Sequence, residues 1–582
     1  MNDRPTSATG TGPAEGGWRA PLRVVVVGGV AGGMSAATRL RRLDEEAVIT
    51  VVERSGHVSY ANCGLPYYVG GVIEEEEDLL LQTPERLFDR FRLDVHVATE
   101  VVGIDPVAHE VTVRSTRDGS ERQQAYDRLV LSPGALPVRP PIPGFDRVRS
   151  LRTVEDANRL AADVAARPRT AVVIGGGFIG LETAENLAHA GVAVTVVEAA
   201  DQILAPLDPE LAVLVEAELV ANGVAVETGV AVTEVAADAV RLADGRAIPA
   251  ELVVGAIGVR PDTRLAEMAG LEIGPRGGIA VDAVGRTSDP HIYAVGDAVE
   301  KTDAVAGGTS LVALANVANR QGRRVADHIA GLDVQGAASL GTAIVKVFSR
   351  VVAMTGANEK RLRASGRPYR CVRSHPMNHA GYYPGAEQMA IKLCFDPDDG
   401  TILGAQAVGG SGVDKRIDVL ATAMSGGIPA PRLADLELAY APPFSSAKDP
   451  VNMLGYMAEN VASGECDVVE PPEVEGLVAA GWTVLDVRTP AEHAAGAIAG
   501  SRNAPLDTLR DDLERLGPGP FLVFCEVGQR GHTATSLLHE LGIEARNLDG
   551  GWRTWVAHEA ARTHDLSLLV PDAQEAASTT VG

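Results

Sequence analysis

The sequence contains little cysteine and fewer basic than acidic residues. Five cysteines are spread along 582 residues, at Cys63, Cys371, Cys394, Cys466 and Cys525. An odd number of distant cysteines is not typical of a disulfide framework, and no two have metal-ligand spacing, so we predict no metal site. The 52 Lys and Arg residues against 77 Asp and Glu give a net charge of −25. This excess of acid argues against nucleic acids and anionic membranes as principal partners.

Long apolar segments are also missing. No run reaches the ~18–20 residues that a membrane-spanning helix needs. The polar, Gly/Pro/Thr-rich residues 1–20 lack the apolar core of a signal peptide, so we expect a disordered tail there. We therefore expect a cytoplasmic protein, in a compartment where thiols stay reduced. With 46% hydrophobic and 22% charged residues, the chain can bury ordinary globular cores.

One strand–turn–helix–strand pattern occurs twice. Its second copy, RTAVVIGGGFIGLETAENLAHAGVAVTVVE, places Gly175, Gly177 and Gly180 in G-x-G-x-x-G spacing, and Glu198 ends the second strand. Such a turn lets the backbone approach a pyrophosphate and directs the helix N-terminus at its charge. An acidic residue at position 198 can accept hydrogen bonds from a ribose 2′-hydroxyl and repels a 2′-phosphate. The following AADQIL contains no Arg or Lys that could bind such a phosphate. We therefore predict NADH rather than NADPH at this copy.

The first copy is less regular. Gly28 and Gly33 hold the outer glycine positions, Val30 takes the middle one, and Glu53 lies 20 residues beyond Gly33. Two such units in one chain make mere strand–helix packing a poor explanation of the glycines. We predict an electron relay with FAD bound in the first unit and NADH visiting the second. Asp297 in IYAVGDA follows an apolar strand, where it serves either as a helix cap or, by preference, as a contact of the flavin ribityl chain.

Four motifs carry a resemblance to a known family: VVVVGGVAGGMSAA, SYANCGLPYYVGG, YAVGDA and AYAPPFSSAKDPVNMLGY. From about Leu22 to Ala458 the chain resembles the coenzyme A-disulfide reductases, within the flavoprotein disulfide reductases. The resemblance implies FAD in the first unit, with Glu53 and Asp297 as contacts. It also implies a homodimer in which the third domain lends residues to the partner's active site, and it identifies Cys63 as the catalytic cysteine.

The resemblance also implies the substrate contacts. On the first helix, Arg39 and Arg42 share one face, and Ser35 lies one turn earlier. The full set of predicted substrate-binding residues is Ser35, Arg39, Arg42, Ser59, Asn62 and Lys448. Tyr382 and Tyr440 match active-site tyrosines that donate a proton or hydrogen bond to a leaving thiolate. Their assignment leaves Tyr383 as a packing residue, although the choice between Tyr382 and Tyr383 stays open.

A single thiol can pair with an external thiol instead of a second cysteine. The expected cycle passes electrons from NADH through FAD to a mixed disulfide between Cys63 and coenzyme A, formed from CoA disulfide or CoA persulfide. We expect the helix N-terminus after Cys63 and the flavin to lower the pKa of its thiol. An NADH oxidase or peroxidase that uses a Cys-sulfenic acid is the alternative, although those enzymes typically have a histidine where this chain has Val30–Ala31. A non-enzymatic sulfur-relay scaffold with a vestigial flavin half is the third hypothesis.

The C-terminal segment resembles rhodanese domains through VLDVRTPAEHAAGAIAGSRNAPL and FLVFCEVGQRGHTATSLLHELG. An apolar strand delivers Cys525 to a six-residue loop that ends at Arg530, ahead of a helix. Loop amides at a helix N-terminus form a cup that stabilises a thiolate or persulfide, with Arg530 at the rim. An inactive rhodanese fold that serves as an interaction module is the alternative.

These motifs divide an α/β chain into two Rossmann-like units, an α+β dimerisation domain and a C-terminal rhodanese α/β domain. The predicted boundaries are a tail at 1–20, an FAD domain at 21–150 and 271–335, an NADH domain at 151–270, a dimerisation domain at 336–460, a linker at 461–475, a rhodanese domain at 476–565 and a tail at 566–582.

Overall fold

The computed structural model of the protein describes residues 20–569. The predicted tails lie almost wholly outside the described residues, apart from a 3₁₀ turn at Leu566–Leu569. None of the described helices is long and apolar enough to cross a membrane.

The first unit is a five-stranded parallel sheet under two packed helices, Ala31–Arg41 and Ala315–Ile329. Its strands lie in the order Ile292–Ala294, Arg128–Leu131, Arg23–Val27, Val48–Val52 and Asp94–His96. The three central strands, Arg128–Leu131, Arg23–Val27 and Val48–Val52, are mostly buried and consist largely of Val, Ile and Leu, as is typical of a parallel sheet covered on both faces.

The second unit repeats this plan with four parallel strands. Their order is Ala225–Glu227, Ala193–Val197, Thr170–Ile174 and Leu252–Gly255. The accompanying helices are Val154–Ala165, Phe178–His189 and Pro209–Ala221.

Small antiparallel sheets and short helices flank both units. The strands are Thr99–Asp105, Glu110–Ser115 and Glu121–Ala125; Val232–Val235, Ala239–Leu242 and Ala247–Pro249; Ala135–Pro137 with Val259–Pro261; and Lys301–Thr302 with Thr309–Ser310. The short helices are Leu65–Val69, Pro84–Phe91 and Arg264–Met268.

The third unit has a five-stranded antiparallel sheet. Its order is Ala343–Val347, Arg350–Gly356, Ile402–Gly409, Ala390–Phe395 and Arg370–Ser374. Its helices are Glu359–Ser365, Val413–Ser425 and Pro450–Ser463.

The C-terminal unit has a second five-stranded parallel sheet. The order is Val468–Val469, Ala545–Leu548, Phe521–Phe524, Thr483–Asp486 and Arg502–Asn503. Its helices are Val474–Ala479, Pro490–Ala495, Leu506–Leu516, Gln529–Glu540 and Gly551–Thr563. The predicted fold class, with two dinucleotide-binding units, an α+β unit and a C-terminal α/β unit, is confirmed.

The C-terminal unit is packed against the rest of the chain. Helix Gly551–Thr563 lies along helix Pro209–Ala221 of the second unit. Val213, Ala557 and Ala560 form a small buried apolar cluster between these helices. The joint is therefore partly apolar, unlike a flexible tether between independent domains.

Candidate active sites

One cavity joins the motifs of the first two units. Its volume is about 1730 Å³, well above the roughly 300–1,000 Å³ typical of a site for one small molecule. The predicted residues in its wall are Gly28, Val30, Glu53, Asn62, Cys63, Gly175, Gly177, Glu198 and Asp297. The fold therefore brings both glycine turns and the lone cysteine to one space, large enough for more than one ligand.

The glycines of the two turns have two different functions. Gly28 and Gly175 have φ values of +96° and +109°, in the left-handed region that favours glycine. A Cβ on Gly33 or Gly180 would lie 1.9 Å from the carbonyl oxygen of Gly28 or Gly175, so these positions pack helix against turn. A Cβ on Gly177 would meet no atom within 4 Å, although Gly177 lines the cavity. Its backbone is thus open to a ligand.

The two strand-end acids make matching contacts. Each accepts two backbone N–H bonds of 2.8 Å from its own unit: Gly29 and Ser55 for Glu53, Gly176 and Ala200 for Glu198. These bonds fix both carboxylates in the cavity wall beside the glycine turns. Two carboxylates held in this way can accept hydrogen bonds from ribose hydroxyls, as the motif predicts.

Cys63 lies in the 3₁₀ turn Asn62–Gly64, immediately before the five-residue helix Leu65–Val69. The residue is exposed because it faces the cavity. Although the side chain is accessible from the cavity, the surrounding wall partly desolvates the thiol. This desolvation and the carboxylates of Glu182 and Asp297 raise the pKa of the thiol, and Arg152 opposes them. The polypeptide alone therefore raises the pKa of the thiol, whereas the predicted lowering involved the helix N-terminus together with the flavin.

Arg152 is a site residue that the sequence analysis missed. In the orientation that satisfies both groups, the Asn62 amide donates to the Arg152 carbonyl oxygen at 2.9 Å and accepts from its guanidinium at 2.6 Å. The same guanidinium lies 3.6 Å from an Asp297 carboxylate oxygen. Arg152 thus links two predicted residues next to Cys63, but it belongs to no motif that would have indicated it.

Glu182 was missed as well. It lines the cavity from helix Phe178–His189, and the Tyr67 hydroxyl donates to its carboxylate at 3.3 Å. Burial raises the pKa of Glu182 to about 7 and that of Tyr67 to about 12. An acid two residues beyond Gly180, directly after the apolar Phe178, Ile179 and Leu181, was the signal that could have identified it.

The remaining predicted substrate contacts lie outside the described cavity wall: Ser35, Arg39, Arg42, Ser59 and Lys448. Arg39 forms an ion pair with Asp327 at 2.5 Å, whereas Arg42 is exposed. Lys448 is also exposed, with its Nζ 5.8 Å from the centre of the Tyr456 ring. The neighbouring Arg41 is buried and donates to main-chain carbonyl oxygens, which is a structural role.

The predicted tyrosines lie on the surface of the third unit. The hydroxyls of Tyr382 and Tyr440 are 3.1 Å apart, and the two residues are 76% and 48% exposed. Neither lines the cavity that contains Cys63 of the same chain. Tyr383 makes an edge contact with the His379 ring at 5.6 Å. The hydroxyl pair is therefore available to a second molecule.

Cys525 occupies a separate site in the C-terminal unit. It is fully buried between strand Phe521–Phe524 and helix Gln529–Glu540. Arg530, predicted at the rim, donates to both carboxylate oxygens of Glu492, at 2.9 and 2.5 Å. This pairing lowers the pKa of Glu492 to about 2. Beneath the site, Asp486 and Arg488 form a buried ion pair at 2.8 Å.

Comparison with known families agrees with this geometry. Residues 22–322 match the family described as pyridine nucleotide-disulphide oxidoreductase, and this match covers more than half of the chain. The chain belongs to this family. Residues 342–450 match the dimerisation domain of pyridine nucleotide-disulphide oxidoreductases, and residues 470–558 match a rhodanese-like domain.

Relatives of this oxidoreductase include a coenzyme A disulfide reductase of Staphylococcus aureus (strain JH9), 33% identical over 75% of this chain and all of the relative. The solved structure of reduced Bacillus anthracis CoADR-RHD is similar with a TM-score of 0.91 and 46% identity, covering 93% of this chain and 98% of that one. An NAD-dependent persulfide reductase from A. fulgidus is similar with a TM-score of 0.86 and 38% identity, covering 92% and 100%.

These findings confirm the predicted family and enzyme class. The protein is an NAD(P)H-dependent flavoprotein oxidoreductase that acts on sulfur and carries a rhodanese-like domain. Its cavity fits the two nucleotides of this family, because both glycine turns, the open backbone of Gly177 and two strand-end carboxylates share one space. Glu53 and Asp297 line this space from the first unit, and Gly177 and Glu198 line it from the second.

Proposed function

We propose that the protein uses NADH to reduce CoA disulfide or CoA persulfide at Cys63, while its rhodanese domain carries sulfane sulfur on Cys525. One observation carries the first half of this proposal. Among the five cysteines, all of which the structure describes, Cys63 alone lines the cavity formed by both glycine turns, and the other four are buried elsewhere. A resolving thiol must therefore come from the substrate.

The thiolate of Cys63 attacks one sulfur of CoA disulfide, forming a Cys63–CoA mixed disulfide and expelling one CoA thiolate. With CoA persulfide, attack on the inner sulfur forms the same mixed disulfide and expels hydrosulfide. In both cases one S–S bond forms as another breaks. Reduction by two electrons and a proton then regenerates the Cys63 thiolate and releases CoA thiol.

Residues of both nucleotide units support this reduction. FAD, held at the first turn with Glu53 and Asp297, would supply the two electrons that originate from NADH. Glu198 binds the ribose 2′-hydroxyl of NADH and repels a 2′-phosphate, which favours NADH over NADPH. Glu182 and Asp297 disfavour the free thiolate, and Arg152 partly offsets their charge. The thiolate therefore depends on ligands in the cavity for its activation.

Coenzyme A is an anionic ligand and requires cations. Arg39 and Arg42 lie together on the first helix, and Lys448 lies exposed on the third unit. We assign these cations to the CoA phosphates, and Ser35, Ser59 and Asn62 to polar contacts along the same ligand.

The third unit completes the site of a second copy. The exposed Tyr382 and Tyr440 hydroxyls form a donor pair that does not line the Cys63 cavity of its own chain. In a homodimer each chain would place this pair next to the other chain's Cys63. There a phenol hydrogen bonds the departing thiolate and stabilises its charge.

A comparison of rates with NADH tests this function. The substrates are CoA disulfide, CoA persulfide, glutathione persulfide, polysulfide and oxygen, each at saturating NADH and with FAD-loaded enzyme. We expect one of the CoA substrates to exceed oxygen and glutathione persulfide by at least about tenfold, because only CoA engages the cations. An oxygen rate equal to the best sulfur rate would instead support the oxidase alternative.

A further inference from the structure

A buried arginine spans the joint between the dimerisation and rhodanese domains. Arg373 lies on strand Arg370–Ser374, and its side chain is only 7% exposed. Its guanidinium donates to Asp549 of the rhodanese domain at 2.9 Å and to Glu359 of its own domain at 2.7 Å. It also donates to Glu210 of the NADH domain at 3.1 Å. A single side chain thus connects three domains.

The contact with Asp549 is made twice. Besides the guanidinium bond, the backbone N–H of Arg373 donates to the second Asp549 carboxylate oxygen at 3.0 Å. Asp549 is 1% exposed, and among residues 20–569 it forms its ion pair with Arg373. The two bonds fix the position of the Asp549 carboxylate, while the Asp549 backbone N–H donates to the Val469 carbonyl oxygen at 2.9 Å.

Asp549 begins the turn that forms a wall of the Cys525 site. Gly550 and Gly551 follow it with φ values of +69° and +63°, a left-handed pair that other residues rarely adopt. A Cβ on Gly551 would lie 2.3 Å from the Cys525 carbonyl oxygen, and a Cβ on Gly550 would lie 3.2 Å from the Cβ of Arg373. The turn is therefore packed between the arginine and the cysteine.

The same turn is hydrogen bonded to the loop that carries the thiol. The backbone N–H of Trp552 donates to the Cys525 carbonyl oxygen at 2.7 Å, and that of Arg553 donates to the Glu526 carbonyl oxygen at 3.1 Å. A shift of Asp549 would move these donors and with them the start of the cup around the Cys525 sulfur.

We propose that Arg373, a residue of the dimerisation domain, is a positioning residue for sulfur transfer at Cys525. It holds the Gly550–Gly551 turn through Asp549, and so the reductase half sets the shape of the rhodanese site. This inference rests on the proposed sulfur-carrying role of Cys525.

The choice of arginine follows from the acids around it. Lys392 already neutralises part of the cluster, with contacts of 2.7 to 3.0 Å to Asp208, Glu210 and Glu359. Arg373 donates to Glu210, Asp549 and Glu359 through three different guanidinium nitrogens. An ammonium group is a compact point charge and does not reproduce this spread of donors at position 373. Arg373→Lys therefore keeps the buried charge and loses the geometry.

The test compares full-length, FAD-loaded R373K with R370K, a matched change at an exposed arginine of the same strand. We expect R373K to lower kcat for sulfur transfer from thiosulfate to cyanide by about tenfold or more, since small misplacements of reacting groups have large effects. Alkylation of Cys525 by iodoacetamide, followed by peptide mass spectrometry, should be faster in R373K because the loop is loosened. NADH-driven CoA disulfide reduction should stay within twofold, and R370K should match the wild type throughout.

Two outcomes overturn the inference: wild-type transfer and alkylation rates in R373K, or a loss of CoA disulfide reduction as large as the loss of transfer. If R373K does not fold, D549N replaces it, and unchanged transfer in D549N is then the refuting result. If both single variants fold, the double variant R373K/D549N should transfer sulfur no more slowly than the slower single variant, because both changes break the same contact. A wild-type protein that transfers no sulfur would refute the role of Cys525, whereas the alkylation comparison would still test its positioning.

Discussion

The two cysteines with proposed catalytic roles lie in opposite environments. Cys63 faces a large cavity, and the nearest charges that act on it include the carboxylates of Glu182 and Asp297. Cys525 is fully buried under a loop whose Arg530 is held by Glu492. The first thiol is exposed but electrostatically disfavoured as an anion, whereas the second is enclosed by its own loop.

This difference separates two ways of controlling a thiolate. Cys63 depends on what enters the cavity, because its own protein groups raise the pKa of the thiol. Cys525 depends on the shape of its loop, which other parts of the chain hold in place. Ligand chemistry should therefore dominate at Cys63 and mechanical support at Cys525.

The strongest test of this separation is the removal of each thiol in turn. Cys63→Ser should lower NADH turnover with CoA disulfide and CoA persulfide by about a thousandfold or more, because no second thiol lines the described cavity wall. Thiosulfate–cyanide transfer should be unchanged. Steady-state rates of both reactions measure the effect, and an unchanged NADH rate would reject the assignment of Cys63.

The reciprocal variant is Cys525→Ser. It should reduce sulfur transfer to cyanide by a similar factor of about a thousand, because the sulfur carrier is lost. CoA disulfide reduction should remain within twofold of the wild type. A variant that lost both activities would contradict two independent sites, and Cys466→Ser, at another buried cysteine of the same region, is the control.

The tyrosine pair tests whether the Cys63 site is shared between two chains. Tyr382→Phe and Tyr440→Phe should each lower kcat for CoA disulfide reduction by about tenfold to a hundredfold, because each removes a donor to the leaving thiolate. Tyr383→Phe, the matched change next door, should stay within twofold. A larger loss of kcat in Tyr383→Phe than in Tyr382→Phe would assign the active-site role to Tyr383 instead. Sulfur transfer at Cys525 should be unchanged in all three variants.

The nucleotide acid provides a smaller effect that is confined to the Cys63 half. Glu198→Ala should raise the KM for NADH about tenfold, which corresponds to roughly 1.4 kcal/mol of binding free energy. It should also lower the ratio of kcat/KM for NADH to kcat/KM for NADPH. Glu227→Ala is the control, since Glu227 pairs with Arg246 at 2.8 Å and does not line the cavity. An unchanged NADH/NADPH ratio would contradict the ribose contact.

The smallest expected effect concerns the pKa of Cys63. The ionised Glu182 carboxylate raises that pKa, and the pKa of Glu182 is about 7. Below pH 7 Glu182 is protonated and repels the thiolate little, whereas above pH 7 it is ionised and repels it. Glu182→Gln should therefore make Cys63 alkylation several-fold faster than in the wild type above pH 7, with convergence at lower pH. Equal rates across the whole range would exclude an electrostatic role of Glu182.

Local patterns predicted what local geometry determines. The glycine turns, Glu53 and Glu198 were found because a strand, a turn and an acid at fixed spacing determine their own arrangement. The fold class followed from the same repeats and from the change to an α+β pattern in the third unit. The motif around Cys63 predicted a catalytic role, and the fold places Cys63 in the cavity wall. The motif did not show that burial and nearby carboxylates raise the pKa of the thiol.

What the sequence did not reveal depends on distant partners. Arg152 meets Asn62 across 90 positions of the chain, and Arg373 meets Asp549 across 176. Neither pair has a fixed spacing or a motif, so only the folded chain brings them together. The raised pKa of Cys63 could not be predicted for the same reason. It depends on burial and on the charge of Glu182, which lies 119 positions further along the chain and is brought close only by folding.

The joint at Arg373 also bears on how this protein can be divided. A chain shortened before Glu470 would lose two carboxylates around Arg373 and expose Val213, which is buried against Ala557 and Ala560. The C-terminal domain thus covers buried residues of the second and third units, in addition to carrying Cys525. The two parts therefore form one structural unit rather than two enzymes joined by a flexible linker. Separate expression of either part would require polar substitutions at the residues that this interface buries.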